Sequence, residues 1–136
     1  MKRVLVDTGP LVAIMAPADE HHKTCVDVLR DLPGPMFSCW PVITEVAWLL
    51  RRRERAIRLL LSSISKGFLE LLPLQSSEAA EIVKLIEKYR NIRPQLADST
   101  LVYLAERDSF EVIFTLGRRD FSVYQAGRKR SFRIIP

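Results

Sequence analysis

Short apolar runs alternate along this chain with longer stretches of helical period, and that alternation restricts the fold more than any other feature of the sequence. Arg3-Val4-Leu5-Val6 is a β-branched run that ends at Asp7; Met36-Phe37-Ser38, Leu69-Glu70-Leu71-Leu72, Glu111-Val112-Ile113-Phe114 and Arg133-Ile134-Ile135 follow at intervals. Such brief runs predict strands, the first of them buried. Between them, Pro10 is placed for the first turn of a helix reaching about Met15. Residues 20–32 carry Cys25, Val26, Val28, Leu29 and Leu32 on one helical stripe, closed by Pro33-Gly34-Pro35. Further helices are predicted from Pro41 through Leu50 into the arginines at 51–53, over 55–65 up to Gly67, from Ser77 to about Tyr89, and over 96–106. Residues 91–94 are predicted as loop. Strands that alternate with helices predict an α/β chain with a parallel sheet covered on both faces. At 136 residues the expectation is one domain spanning 1–136.

Composition narrows the function classes. A hydrophobic content of 48% excludes wholesale disorder. Cys25 and Cys39 match neither a metal-binding pair nor a disulfide framework, so buried thiols in a reducing compartment are expected. The first apolar run is broken by Asp7 and Gly9-Pro10 and the next stops at Pro17, short of the ~20 residues a membrane span requires. A soluble, cytoplasmic protein without a targeting signal or membrane partner is the expectation. The net charge of +5 favours polyanionic partners.

In a doubly wound sheet the functional crevice lies beyond the carboxyl ends of the strands. Asp7 and Thr115 both end strands there. Four acids stand out by context: Asp7 abutting the first strand, Glu45 as the only charge between Pro41 and Leu50, Asp98 in the first turn of an apolar helix, and Asp120 just after a strand. Singly, each has an ordinary role. Asp7 suits a helix cap, Glu45 a polar helix edge, Asp98 the positive end of a helix dipole and Asp120 a turn. Together they would repel one another on ionising unless a counter-charge lay between them. A hard divalent cation takes oxygen ligands of this kind, lowers the pKa of bound water and polarises a phosphoryl oxygen.

Val4-Leu5-Val6-Asp7-Thr8-Gly9-Pro10-Leu11, Thr44-Glu45-Val46, Leu96-Ala97-Asp98-Ser99, Ile113-Phe114-Thr115-Leu116 and Arg119-Asp120-Phe121 occur in that order over the full length. In order and spacing they resemble PIN-domain proteins, especially the small VapC-type toxin ribonucleases of bacterial and archaeal toxin–antitoxin pairs. The resemblance implies a three-layer α/β/α fold around a short central parallel sheet. It also implies endoribonuclease activity on RNA that depends on Mg²⁺ or Mn²⁺. Asp7, Glu45 and Asp98 would be metal ligands, directly or through water, with Thr8 and Thr115 orienting carboxylates. A homodimer and an antitoxin partner are implied as well, and the apolar helices near 42–50 and 57–64 offer surface for them. The chain departs from the family at Gly117, where an acid often stands; Asp120, three residues on, then supplies the fourth carboxylate. Two accounts of Gly117 are open: an attenuated catalytic site, or a turn that needs a positive φ. The alternative function is a degenerate module that binds RNA or a protein without cutting.

Arg118 and Arg119 are expected in a loop beside Asp120, holding RNA phosphates by contacts that position rather than specify. The arginines at 51–53, 55 and 58 read as a solvated helix face, and Arg128, Lys129, Arg130 and Arg133 form a basic tail. His21 and His22 are expected in a solvated turn, and Trp40 and Trp48 in the core. A phosphoacceptor receiver domain is disfavoured by the lone Asp7 and by the lack of a lysine near Thr115. Asp7-Thr8-Gly9 lacks the second aspartate of a haloacid-dehalogenase-type phosphatase.

Overall fold

The computed structural model describes residues 3–127 and 130–136. In chain order β1 (Val4–Val6) leads into α1 (Thr8–Met15), and α2 (His22–Asp31) into β2 (Met36–Ser38). Then come α3 (Trp40–Leu49), α4 (Glu54–Ser65), β3 (Leu69–Leu71), α5 (Ala79–Lys88) and α6 (Leu96–Asp108). β4 (Val112–Phe114), α7 (Arg118–Phe121), β5 (Gln125–Gly127), β6 (Arg130–Ser131) and β7 (Arg133–Ile135) complete the chain.

Five strands form one sheet in the order β3-β2-β1-β4-β7, parallel at every pairing. Val4 sits opposite both Met36 and Val112, Met36 opposite Leu69, and Val112 opposite Arg133. The two central strands, β1 and β4, are buried along their whole length, as unbroken Val/Leu/Ile/Phe runs require of a sheet covered on both faces. From β1 the chain adds strands in one direction, and from β4 in the other. The reversal lies between these two, so the crevice for a ligand opens beyond Val6 and Phe114. The backbone continues the sheet pattern there: Asp7 N–H donates to the Phe114 carbonyl at 2.9 Å and Thr115 N–H to that of Ile135 at 2.9 Å.

Helix α6 carries seven buried residues, from Ala97 to Ala105, and α3 packs against both it and α1. The apolar sides of α3 (Val42, Ile43, Val46) and α6 (Leu101, Leu104) join the sheet residues Leu5, Ile113 and Phe114 in one core. Cys25 and Cys39 are free thiols buried in that core, as expected. No described helix is long and apolar enough to cross a membrane.

Several segments differ from expectation, among them a 3₁₀ turn over Arg90–Ile92 that enters the predicted loop. Arg118 and Arg119 lie in a helical turn, α7, instead of a loop. β5 and β6 form an antiparallel hairpin whose sequence, with no β-branched residue, carries no strand signal. A 3₁₀ turn over Ser76–Glu78 precedes α5, closed by a reciprocal capping box between Gln75 and Glu78. Of the basic tail, Arg128 and Lys129 lie outside the described residues.

Candidate acidic active site

Asp7 stands at the N-cap position of α1 with extended backbone, yet its side chain makes no cap hydrogen bond. It turns into the crevice instead. Oδ2 accepts from the Thr115 hydroxyl at 2.9 Å, and the Thr115 hydroxyl oxygen in turn accepts the Gly117 N–H at 2.9 Å. With its lone pair engaged by Gly117, the Thr115 hydroxyl has its proton directed at Asp7. Oδ1 is buried and has no partner among the described residues. Burial pushes the Asp7 carboxyl above its ordinary range, against the pull of the nearby Thr8 N–H and the Thr115 hydroxyl, and Asp120 adds to the rise.

The other acids converge on the same crevice. Asp98 projects from the first turn of α6, and burial raises it to about 7, with Asp7, Glu45 and Asp120 pushing the same way. Glu45, half-buried on α3, is raised by burial and by Asp7. The Thr8 hydroxyl lies near enough to draw Glu45 down without reaching hydrogen-bond geometry. Asp120 is exposed on α7 and acts on both Asp7 and Asp98. All four predicted carboxylates therefore share one field, carried by four different elements.

Two features suit a hydrated divalent cation. One is the orphaned Asp7 Oδ1, a buried acceptor that lacks a donor. The other is that the charges acting on Asp98 are all carboxylates, so a cation relieves their repulsion. Among the described residues no three His, Cys, Asp or Glu side chains are already gathered as a ligand cage.

The remaining candidates sort by position. Cys39 lies near Asp7, but burial pushes its thiol up to about 12, so it stays neutral. His22 points its Nδ1 at the Ala13 carbonyl at 2.8 Å, and His21 pairs with Glu20, so both histidines are engaged locally. Arg118 donates to the Pro136 carbonyl at 2.6 Å and more distantly to Ile134, so it braces the end of β7 against α7, while Arg119 is exposed. Gly117 has φ −88°, which overturns the positive-φ account of this glycine. A Cβ placed there meets only the Thr115 hydroxyl, at an ordinary 3.4 Å.

Trp40 and Trp48 correct an expectation: they are 57% and 63% exposed rather than in the core. With Thr44 and Leu96 they line an open groove that reaches Glu45. Helical spacing marks which residues share a face, but it does not say whether a neighbour covers that face. Nothing in the pattern singled out Tyr124 either. Its ring is buried between Tyr89 and Phe121, and its phenol feels Asp98, Asp120 and Asp7.

Comparison with known proteins agrees with this fold. Residues 4–126 match the family model described as PIN domain. Ribonuclease VapC26 of Mycobacterium tuberculosis (strain ATCC 25618 / H37Rv) is 26% identical over 138 residues, covering 98% of this chain and all of the relative. The crystal structure of M. tuberculosis VapC20, a sarcin-ricin loop cleaving toxin, superposes with a TM-score of 0.74 at 15% identity. That match covers 81% of this chain and 86% of VapC20, and it speaks for the fold.

Proposed function

Because the chain belongs to the PIN-domain family and is related to the VapC toxin ribonucleases, we propose that it is a metal-dependent endoribonuclease, the toxin of a type II toxin–antitoxin pair. The observation that carries this reading is the convergence of Asp7, Glu45, Asp98 and Asp120 at the reversal of strand order, with Asp7 Oδ1 lacking a partner among the described residues. These carboxylates would hold Mg²⁺ or Mn²⁺. Such an ion supplies an activated water and charge for a phosphoryl oxygen. The chain's own residues do the positioning. Thr115 fixes Asp7 through Oδ2 and leaves the other oxygen for the ion. Thr8 lies beside Glu45. Arg119, exposed one residue from Asp120, and Arg118 would meet RNA phosphates at the mouth of the crevice.

A homodimer and an antitoxin would use the exposed apolar residues of α3 and α4, namely Trp48, Leu49, Leu59 and Leu61. The free buried thiols suit the reducing cytoplasm. Gly117 favours a second reading, a module that binds RNA without cutting, because it removes an acid the family often carries.

The test is cleavage of RNA in Mg²⁺ or Mn²⁺ and its loss in a chelator. Asp7→Asn and Asp98→Asn should each abolish cleavage with the melting temperature retained, and Glu45→Gln should be similarly severe. Full activity in either aspartate variant at saturating metal rejects the ligand set. Metal-independent RNA binding without cleavage by the unmodified chain establishes the second reading.

A further inference from the structure

We propose that Tyr124 is a positioning residue of the acidic site: once the site holds its cation, the Tyr124 hydroxyl closes a hydrogen bond to the carboxylate cluster or to a cation-bound water. The inference rests on the metal-dependent reading above and names a residue that the sequence motifs leave out.

Tyr124 is only 1% exposed, and its hydroxyl has no hydrogen-bond partner among the described residues. Buried hydroxyls normally find a partner, because dehydrating one without compensation is unfavourable. Packing does not leave this ring free to turn away. It meets Tyr89 edge-on at 4.9 Å and Phe121 at 5.0 Å between centroids. Its backbone N–H donates to the Asp120 carbonyl at 3.2 Å, which ties the residue to the turn that carries the fourth acid. Burial raises the phenol first, and Asp98, Asp120 and Asp7 add to the rise, so its surroundings are acidic.

With Thr8 and Ser99 also carrying buried hydroxyls that have no partner among the described residues, the unpaired Tyr124 donor shares a field with an unpaired acceptor, Asp7 Oδ1. Neither reaches the other. Held by these carboxylates, a hydrated cation would supply what both lack: charge for the Asp7 carboxylate and, on its waters or its ligands, an acceptor for the Tyr124 hydroxyl. Hydrogen bonds of this outer kind orient ligands and raise metal affinity. The neighbouring Tyr89 is differently placed. Its hydroxyl accepts the Gln125 N–H at 3.2 Å and is satisfied without the acids.

The experiment is a Mn²⁺ titration of the full chain, with free Mn²⁺ read by electron paramagnetic resonance, for the unmodified protein, Tyr124→Phe and Tyr89→Phe. Tyr124→Phe should raise the Mn²⁺ Kd roughly tenfold while the metal-free melting temperature holds or rises, since the lost hydroxyl had no partner. Tyr89→Phe should leave the Kd unchanged. Adding Mg²⁺ should also produce a tyrosine absorbance difference in the unmodified protein that Tyr124→Phe lacks. An unchanged Kd in Tyr124→Phe, with Mn²⁺ bound by the unmodified chain, overturns this inference and leaves the metal site standing. Equal weakening by both phenylalanines also overturns it, since that would be a general packing effect. No Mn²⁺ binding by the unmodified chain overturns the metal reading and this inference together.

Discussion

Gly117 shows at the residue scale what a sequence leaves open and a backbone decides. Its sequence position admits both a missing carboxylate and a left-handed turn. With φ at −88° and room for a Cβ, the left-handed turn falls away as a reason for this glycine. Gly117 is also the N-cap of α7, which has no side-chain cap, and aspartate serves that position at least as well as glycine. Gly117→Asp should therefore change the melting temperature by no more than about 2 °C. It should lower the metal concentration for half-maximal cleavage several-fold. Asp120→Asn should raise that concentration, and the pair should be non-additive if both acids serve one ion. Metal titrations and melting curves of the three variants check this; an unaltered metal response in Gly117→Asp removes the attenuated-site account. Asp7, Glu45 and Asp98 stand out in the sequence because charge in an apolar context is conspicuous. Tyr124 does not, since an aromatic ring looks like core whether or not its hydroxyl faces a site.

The elements divide in the same way. The sheet strands and α1 to α6 were legible because each carries several apolar residues at one period. α7 has four residues, and the β5–β6 hairpin none that favours a strand, so tertiary contacts decide both. The entry to α5 is held by a polar cluster that joins it to α6. Glu78 accepts the Gln75 N–H at 2.6 Å, the Tyr103 hydroxyl at 2.7 Å and an Arg107 N–H at 2.8 Å. Arg107 continues to the Pro73 carbonyl and to Asp108. These bonds, the Gln75 N–H foremost, bring the Glu78 carboxyl from 4.5 down to about 2. A depressed carboxyl stabilises the fold at pH values above its unfolded pKa, and that contribution is lost as pH falls through the folded value. Melting temperature should thus fall between pH 4.5 and about 2 by an amount that Glu78→Gln removes. The carboxyls of Asp7, Glu45 and Asp98, raised rather than lowered, act in the opposite sense, so the difference between the two proteins isolates Glu78. Parallel acid limbs for the two would show that the cluster does not couple α5 to α6.

For the whole molecule, charge and apolar surface make separate demands. A net charge of +5 with exposed arginines at 118 and 119 predicts RNA binding that weakens steeply with salt and little with sequence. Arg118→Ala with Arg119→Ala should weaken binding to unrelated RNAs alike and flatten the salt dependence; an effect confined to one sequence would place the phosphate contacts elsewhere. The sequence marks the helices near 42–50 and 57–64 as offering apolar surface, but not which side of each is uncovered, because one period describes both sides of a helix. In α3, Val42, Ile43 and Val46 are buried while Trp48 and Leu49 stand in solvent; in α4, Leu60 is buried while Leu59 and Leu61 are exposed. Large apolar side chains clustered at a surface indicate a partner. If that partner is a second copy, light scattering at micromolar concentration should give about twice the 15.6 kDa chain mass. The melting temperature should then rise with protein concentration by mass action. Trp48→Arg and Leu59→Asp replace exposed groups, so each should yield a folded monomer with the buried core intact. A monomer in the unmodified protein, with no concentration dependence of melting, rejects the homodimer and leaves those faces to an antitoxin helix, whose addition should then raise the melting temperature of the unmodified chain but not of Leu59→Asp.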